Sequence, residues 1–156
     1  MIEITIPGRG CYKFKHLVLD LNGTIALDGE IIEGVEGRLH QISRLLNISV
    51  VTADTHGSAQ RLEEGLDINM SRIEPGREDA QKLALVQQLG NENTICIGNG
   101  SNDVSMLKES ALGICVVGRE GLSFEAIMNS DLMVPDINDA LDLLLKPDRL
   151  VATLRT

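Results

Sequence analysis

The residues best suited to chemistry fall in four short stretches. The first is Asp20-Leu21-Asn22-Gly23-Thr24, which closes the apolar run His16-Leu17-Val18-Leu19. A carboxylate at the end of a buried strand is costly unless it is paired, bound to a metal or used in a reaction. Gly23 lets backbone amides approach a bound anion, and the Thr24 hydroxyl adds a donor. An aspartate capping a turn explains the same five residues, and taken alone they favour that plainer account. The second stretch is Thr52-Ala53-Asp54, at the end of another apolar run, where a threonine also commonly satisfies a turn. The third is Lys82, which helical periodicity alone would leave as a solvated lysine on an amphipathic helix. The fourth is Gly98-Asn99-Gly100-Ser101-Asn102-Asp103. Its glycines either turn amides toward an anion or simply form turns, and Asp103 suits a helix cap as well as a metal.

Short apolar runs alternate with helical periodicity along the chain, the pattern of a parallel sheet with crossover helices. Strands are expected over 16–21, 48–52, 66–70, 94–97, 112–117 and 132–134. Val35, Leu39, Ile42 and Leu46 recur at helical spacing. Further helices are expected over 56–64, over 77–89 with Leu83, Val86 and Leu89 on one face, over 102–109, and over 123–129 with Ser123 as N-cap. Asp136 and Asp139 start a helix that ends near Leu145, and Pro147 suits the first turn of a last one. Residues 3–6 and 11–14 around Pro7-Gly8-Arg9-Gly10 read as an antiparallel hairpin, and residues 25–33 with Gly29 as a small flap. The expected architecture is α/β, a three-layer, doubly wound, Rossmann-like parallel sheet forming one domain over 1–156. In such sheets ligands sit beyond the carboxyl ends of the strands, where strand order reverses. Asp20, Thr52 and the loop from Gly98 are therefore expected to meet in one crevice.

Composition narrows the function classes. The chain has 156 residues and a formal charge of -9, from 14 Lys and Arg against 23 Asp and Glu. That balance argues against a nucleic-acid module or a polybasic membrane anchor, both of which need a basic face. Hydrophobic residues make up 43%, enough for a sizeable core, while the 2% aromatic content leaves no platform for stacked bases. No apolar run nears the ~20 residues of a membrane span. Cys11, Cys96 and Cys115 are odd in number and form no C-x-x-C pair, against a zinc or disulfide framework. A cytoplasmic protein with reduced thiols is the expectation.

In order and spacing the four stretches resemble the motifs of the haloacid dehalogenase-like superfamily, and within it the phosphorylation domain of P-type ATPases. That domain carries D-K-T-G-T, T-G-D, a proline followed by K-x-x-x-V-x-x-L, and G-D-G-x-N-D. Here stand Asp20 to Thr24, Thr52 to Asp54, Pro75 followed by Lys82, Val86 and Leu89, and Gly98 to Asp103. The resemblance implies a Mg²⁺-dependent phosphatase or phosphotransferase in which Asp20 takes the phosphoryl group as an aspartyl phosphate. It further implies that Thr52 and Lys82 act on the phosphoryl oxygens, and that Gly23, Thr24, Ala53 and Gly100 line the phosphate. Mg²⁺ would be held by Asp20, Asn22 through its carbonyl, Asn99 and Asp103.

Two departures bear on activity. Superfamily phosphatases usually carry a second acid two residues after the nucleophile, and here that position is Asn22, which has no titratable proton. General acid–base help is worth ~10²–10⁴-fold in rate, so esters with poor leaving groups should be slow. Asn99 likewise replaces a metal-binding acid. Both asparagines precede glycine, which marks them for deamidation back to acids. With one helix between the first two motifs, no room is left for a cap or nucleotide domain, so an ion pump is not expected. The substrate would be a small phosphorylated compound or a phosphoprotein, and the site of a capless chain is often completed by a homo-oligomer. Loss of two acids also motivates an alternative, a catalytically impaired regulatory or partner-binding module. A receiver-like switch that holds a phosphoryl group fits the four motifs less well.

Overall fold

The structure is a computed structural model and describes residues 1–53 and 58–156, with the backbone alone at 58–61. Along the chain run β1 (Ile2–Ile6), β2 (Gly10–Phe14), β3 (His16–Asp20), β4 (Ala26–Leu27), β5 (Glu30–Ile31) and α1 (Val35–Ile42). Next come β6 (Asn47–Thr52), α2 (Ser58–Gly65), β7 (Asn69–Arg72), α3 (Glu78–Leu89), β8 (Thr94–Gly98) and α4 (Val104–Glu109). The chain continues with β9 (Leu112–Val116), α5 (Phe124–Met128), β10 (Leu132–Val134), α6 (Ile137–Leu145) and α7 (Asp148–Leu154).

The central sheet has the order β10-β9-β8-β3-β6-β7, with every neighbouring pair parallel. From β3 the chain builds outward through β6 and β7, then returns to add β8, β9 and β10 on the other side. Order therefore reverses between β3 and β8, as the doubly wound reading expects. Because strand side chains alternate, the central strands β3, β6, β8 and β9 feed two cores. Leu17, Leu19, Ile48, Val50, Ile95, Ile97 and Ile114 join an aliphatic core with α1, α2, α6 and α7. Val18, Val51, Cys96 and Cys115 face a smaller cluster with Val86 of α3, Met106 and Leu107 of α4, and Ala126 of α5. Gly113 is needed on that side, since a Cβ there would lie 2.3 Å from the Leu107 carbonyl oxygen.

The hairpin β1–β2 packs on its own chain: Ile2, Ile4, Ile6 and Phe14 belong to the larger core. The flap is the short hairpin β4–β5, turned by Asp28 and Gly29, both at positive φ as a two-residue turn requires. Some boundaries differ from the sequence reading. The strand expected over 66–70 lies at Asn69–Arg72, because pairing with β6 begins only at Asn69 opposite Ser49. The helix expected from 102 is preceded by a 3-10 turn, Ser101–Asp103. Ser123 occupies the N-cap position of α5 but makes no side-chain cap; its hydroxyl pairs with that of Ser101 at 2.8 Å. Asp136 caps α6 as expected, accepting from the Asp139 amide. The helix expected over 56–64 begins, within the described residues, at Ser58. No helix among the described residues is long and apolar enough to cross a membrane.

Candidate active site

Asp20 ends β3 on the α3/α4 side of the sheet, at the point where strand order reverses. Lys82 comes to it from the middle of α3. The sequence reading put Leu83, Val86 and Leu89 on one face; the fully buried residues of α3 are Lys82 and Val86, with Leu89 packed against the same cluster. Lys82 is 1% exposed, so the solvated-lysine account is set aside. Its Nζ donates to Asp20 Oδ1 and to Asp103 Oδ1, at 2.7 Å each. An ammonium has three protons, and these two bonds use two of them.

Asp103 is fully buried and held on both oxygens, because Oδ2 accepts from the amides of Asn99 and Gly100 at 2.9 Å each. Gly98 leaves the space for this, since a Cβ there would lie 2.5 Å from the Asp103 carboxylate. Glu78 at the start of α3 accepts from Asn102 Nδ2 at 2.7 Å and ties that loop to the helix bearing Lys82. Asn99 is oriented by its Nδ2, which donates to the Gly121 carbonyl at 3.1 Å. Its Oδ1 and Asp20 Oδ2 each lie 3.2 Å from the buried Thr24 hydroxyl. One hydroxyl proton serves only one of these oxygens at a time, so the other keeps its lone pairs for a cation.

The electrostatics follow from burial. Asp20 is pushed up to about 7, first by desolvation and then by Asp103, with Lys82 and Thr24 pulling the other way. Burial alone would lower Lys82, but Asp20 and Asp103 outweigh it and raise the ammonium above its ordinary value. Two carboxylates against one ammonium leave a single excess negative charge in a dry site. Among the described residues no three of His, Cys, Asp and Glu cluster as a metal site. The oxygen-only set of Asp20, Asp103 and the Asn99 amide still fits a hard cation such as Mg²⁺, which uses one or two carboxylates and keeps several waters.

The remaining expected residues are distributed unevenly. Thr52 is buried at the end of β6, one residue beyond the pair Asp20 and Val51, and its carbonyl accepts from the Ile73 amide. Ala53 follows, half-buried. Asn22 is exposed and bridges Ala26. Gly23 and Gly100 do not hold free amides for an anion: Gly23 donates to the Ala26 carbonyl at 2.8 Å, and Gly100 to Asp103. Those bonds also restrain the glycine nitrogens that deamidation of Asn22 or Asn99 requires, so the structure works against that expectation. Asp54 and His56 lie outside the described residues. Sequence reasoning missed Glu120, whose Oε2 would be 2.6 Å from a Cβ on Gly23. The glycines at 118 and 121 flanking it after β9 were the only local signal.

The profile of the haloacid dehalogenase-like hydrolases matches residues 77–118, the stretch that carries Lys82 and the loop from Gly98. A soluble P-type ATPase-like phosphatase of Methanocaldococcus jannaschii is 26% identical over 123 residues, 77% of this chain and 45% of that one. These matches make the chain similar to the haloacid dehalogenase-like hydrolases. An uncharacterized protein of the same archaeon is 48% identical over 92 residues, 56% of this chain and 99% of that one. The fold is shared with the 3-deoxy-D-manno-octulosonate 8-phosphate phosphatase of Moraxella catarrhalis, solved with magnesium, phosphate and KDO. That match has a TM-score of 0.64 at 19% identity and covers 91% of this chain and 94% of the other. The phospholipid-transporting ATPase IG of Homo sapiens is 44% identical over 69 residues, which is only 6% of its own length. The chain thus spans less than half of the P-type relatives it matches.

Proposed function

We propose that the chain is a phosphatase, or a phosphotransferase, that works through an aspartyl phosphate on Asp20. The observation that carries this is the buried ammonium of Lys82, shared between Asp20 and Asp103 at 2.7 Å each where the sheet reverses. A buried lysine held by two buried carboxylates is poor economy for a fold alone and suits a centre that handles a dianion.

In this reading an Asp20 oxygen attacks phosphorus while the bond to the leaving alcohol breaks, and water later cleaves the acyl phosphate to regenerate the carboxylate. Thr24 holds the Asp20 carboxylate from one side and Lys82 from the other, so the nucleophile is preoriented. The third Lys82 proton, the Thr52 hydroxyl and the Ala53 amide receive the phosphoryl oxygens. Asn22 has no proton to give, so the leaving group takes one from water, and acyl and aryl phosphates react faster than alkyl esters. Asp20, Asp103, the Asn99 amide oxygen and the Asn22 carbonyl would hold Mg²⁺, which supplies positive charge against the phosphoryl oxygens.

The test is turnover of acetyl phosphate and aryl phosphates with Mg²⁺, with intact mass to catch the adduct. Turnover should fall by at least about three orders of magnitude in Asp20→Asn, the scale on which removing a nucleophile acts. Equal behaviour of wild type and variant would end the catalytic reading, and a long-lived adduct without turnover would point to a switch.

A further inference from the structure

Beside the candidate nucleophile lies a cavity that none of the roles above uses. It measures about 570 Å³, within the roughly 300–1,000 Å³ of small-molecule sites. Its walls are the flap of β4 and β5, the loop after β9 and the start of α6, and it begins at Gly23 and Thr24. Thr24 joins it to the chemistry, because the side chain that lines the cavity also donates to Asp20 Oδ2 at 3.2 Å. The alcohol half of a phosphomonoester attacked by Asp20 has this cavity next to it.

The side chains inside are apolar. Ala26 and Ile137 are buried, and Leu27, Ile31 and Ile32 are half-buried, with hydrocarbon facing the cavity. Charge stands at the rim: Glu30, Glu33, Arg119 and Asp136 are all exposed. The Arg38 guanidinium stands close by, since a Cβ on Gly34 would lie 2.8 Å from its Nη1. Charges of both signs, hydrated and screened by salt, favour no one ligand charge strongly.

The polar groups of the wall are spent on one another. Asn138 Nδ2 donates to the Glu33 carbonyl at 3.0 Å, and the Ile32 amide to the Ile25 carbonyl at 3.0 Å. The Gly23 amide donates to the Ala26 carbonyl at 2.8 Å, and the Gly118 amide to the Pro135 carbonyl at 3.1 Å. The Thr24 hydroxyl is shared between Asp20 and Asn99, and Asp136 accepts the Asp139 amide. Asn138 Oδ1 has no partner, but it is closed off from solvent and so equally from a ligand. A polyol entering here would give up hydrogen bonds to water and find few in return, which is costly. A hydrocarbon chain loses nothing of that kind and gains by covering Leu27, Ile31 and Ile32.

We propose that this cavity receives the alcohol half of the substrate and selects an apolar, alkyl-type alcohol over a polyol. The preference belongs to the cavity, while the claim that the ester is cleaved rests on the phosphatase reading above.

Ethyl, propyl and pentyl phosphate test this with charge and chemistry held constant, because they carry the same phosphate and similar leaving groups. Calorimetric binding to the Asp20→Asn chain in Mg²⁺ reads the cavity without turnover, and kcat/KM on wild type reads both. Affinity should rise about two- to fourfold per methylene, the scale of burying one CH₂. Glycerol 1-phosphate, with the same three carbons as propyl phosphate, should bind about tenfold more weakly. Leu27→Asn and Ile31→Asn, at half-buried positions, should each flatten the rise with chain length. Where either folds poorly, the series on the unsubstituted cavity still decides. Affinity that does not rise with chain length, or glycerol phosphate binding as well as propyl phosphate, overturns the selection. A rise that survives both substitutions in folded protein overturns the cavity's role. Binding in the expected order without turnover of any ester, aryl phosphate included, supports the cavity's role and rejects the phosphatase reading. Turnover of aryl phosphate with alkyl binding indifferent to chain length does the reverse.

Discussion

The two faces of the central sheet do different things with the same strands. On one face Leu17 and Leu19 of β3 enter an aliphatic core that runs through α1, α6, α7 and the N-terminal hairpin. On the other, Val18 meets a small apolar cluster, and Asp20, one residue further along the same side, meets an ammonium and a second carboxylate. The first face gains stability from burial, at roughly 25 cal/mol per Å² of apolar surface. The second gives some of it up: a charge taken out of water must recover its hydration from a few fixed partners. The contrast indicates that the larger core holds the strand ends rigid so that a costly ionic centre can exist beside it.

Several substitutions can break or sharpen that contrast. Lys82→Met should have the largest effect, removing turnover and destabilising the fold by about 3–5 kcal/mol, the cost of leaving buried charges unpaired. The penalty should shrink at pH 5, because Asp20, already pushed up to about 7 with Lys82 present, is then neutral. On the opposite face Leu39→Ala should cost about 2–5 kcal/mol for the cavity it opens, at any pH, with kcat per folded molecule retained. Denaturant unfolding at pH 5 and pH 8 reads both, and a pH-independent loss for Lys82→Met would mean that the two faces do not differ in kind.

Asn22→Asp should act on chemistry alone, raising turnover of alkyl phosphates toward the ~10²–10⁴-fold range of general acid–base help. No rise would remove the missing acid as the cause of slow ester cleavage. Asp20→Asn should act on stability in the direction opposite to its effect on activity. The folded chain holds the Asp20 proton more tightly than the unfolded chain, where the carboxyl titrates near 4. Wild-type stability therefore falls as pH rises through that window up to about 7, and the variant should lose this slope. In chelator at pH 8 its Tm should exceed that of wild type by several degrees; an equal or lower Tm would contradict the cost assigned to this centre. The smallest effect expected is in thiol labelling. Cys11 is exposed and should alkylate in the folded chain, while Cys96 should stay unmodified, because burial pushes its thiol up to about 12.

Much of this was legible beforehand for a definite reason. A strand buried on both faces must be apolar throughout, so runs such as Leu17-Val18-Leu19 and Ile95-Cys96-Ile97 declare themselves, and a polar residue closing them stands out. Asp20, Thr52 and the loop from Gly98 were found that way. Edge strands declare less. β7 is Asn-Met-Ser-Arg, and the apolar letters just before it drew the expected strand to 66–70. Helix faces were readable only where all the buried residues are apolar. On α3 the pattern of leucines pointed to Leu83, because no hydropathy argument places a lysine beside Val86 in a core.

The sequence by itself determined the order of elements, the parallel sheet and the residues at its carboxyl edge, since these follow from local apolar periodicity. Only the tertiary structure decided that Lys82 is buried, that Asp103 is anchored through both oxygens, and that the Gly23 and Gly100 amides are hydrogen-bonded within the protein. It alone brought Glu33, Arg119 and Asp136 from three separate segments around one cavity. Charge partners far apart in the chain leave no periodic trace, because electrostatics depends on distance in space and on exclusion of water, and both are set only when the chain has closed on itself.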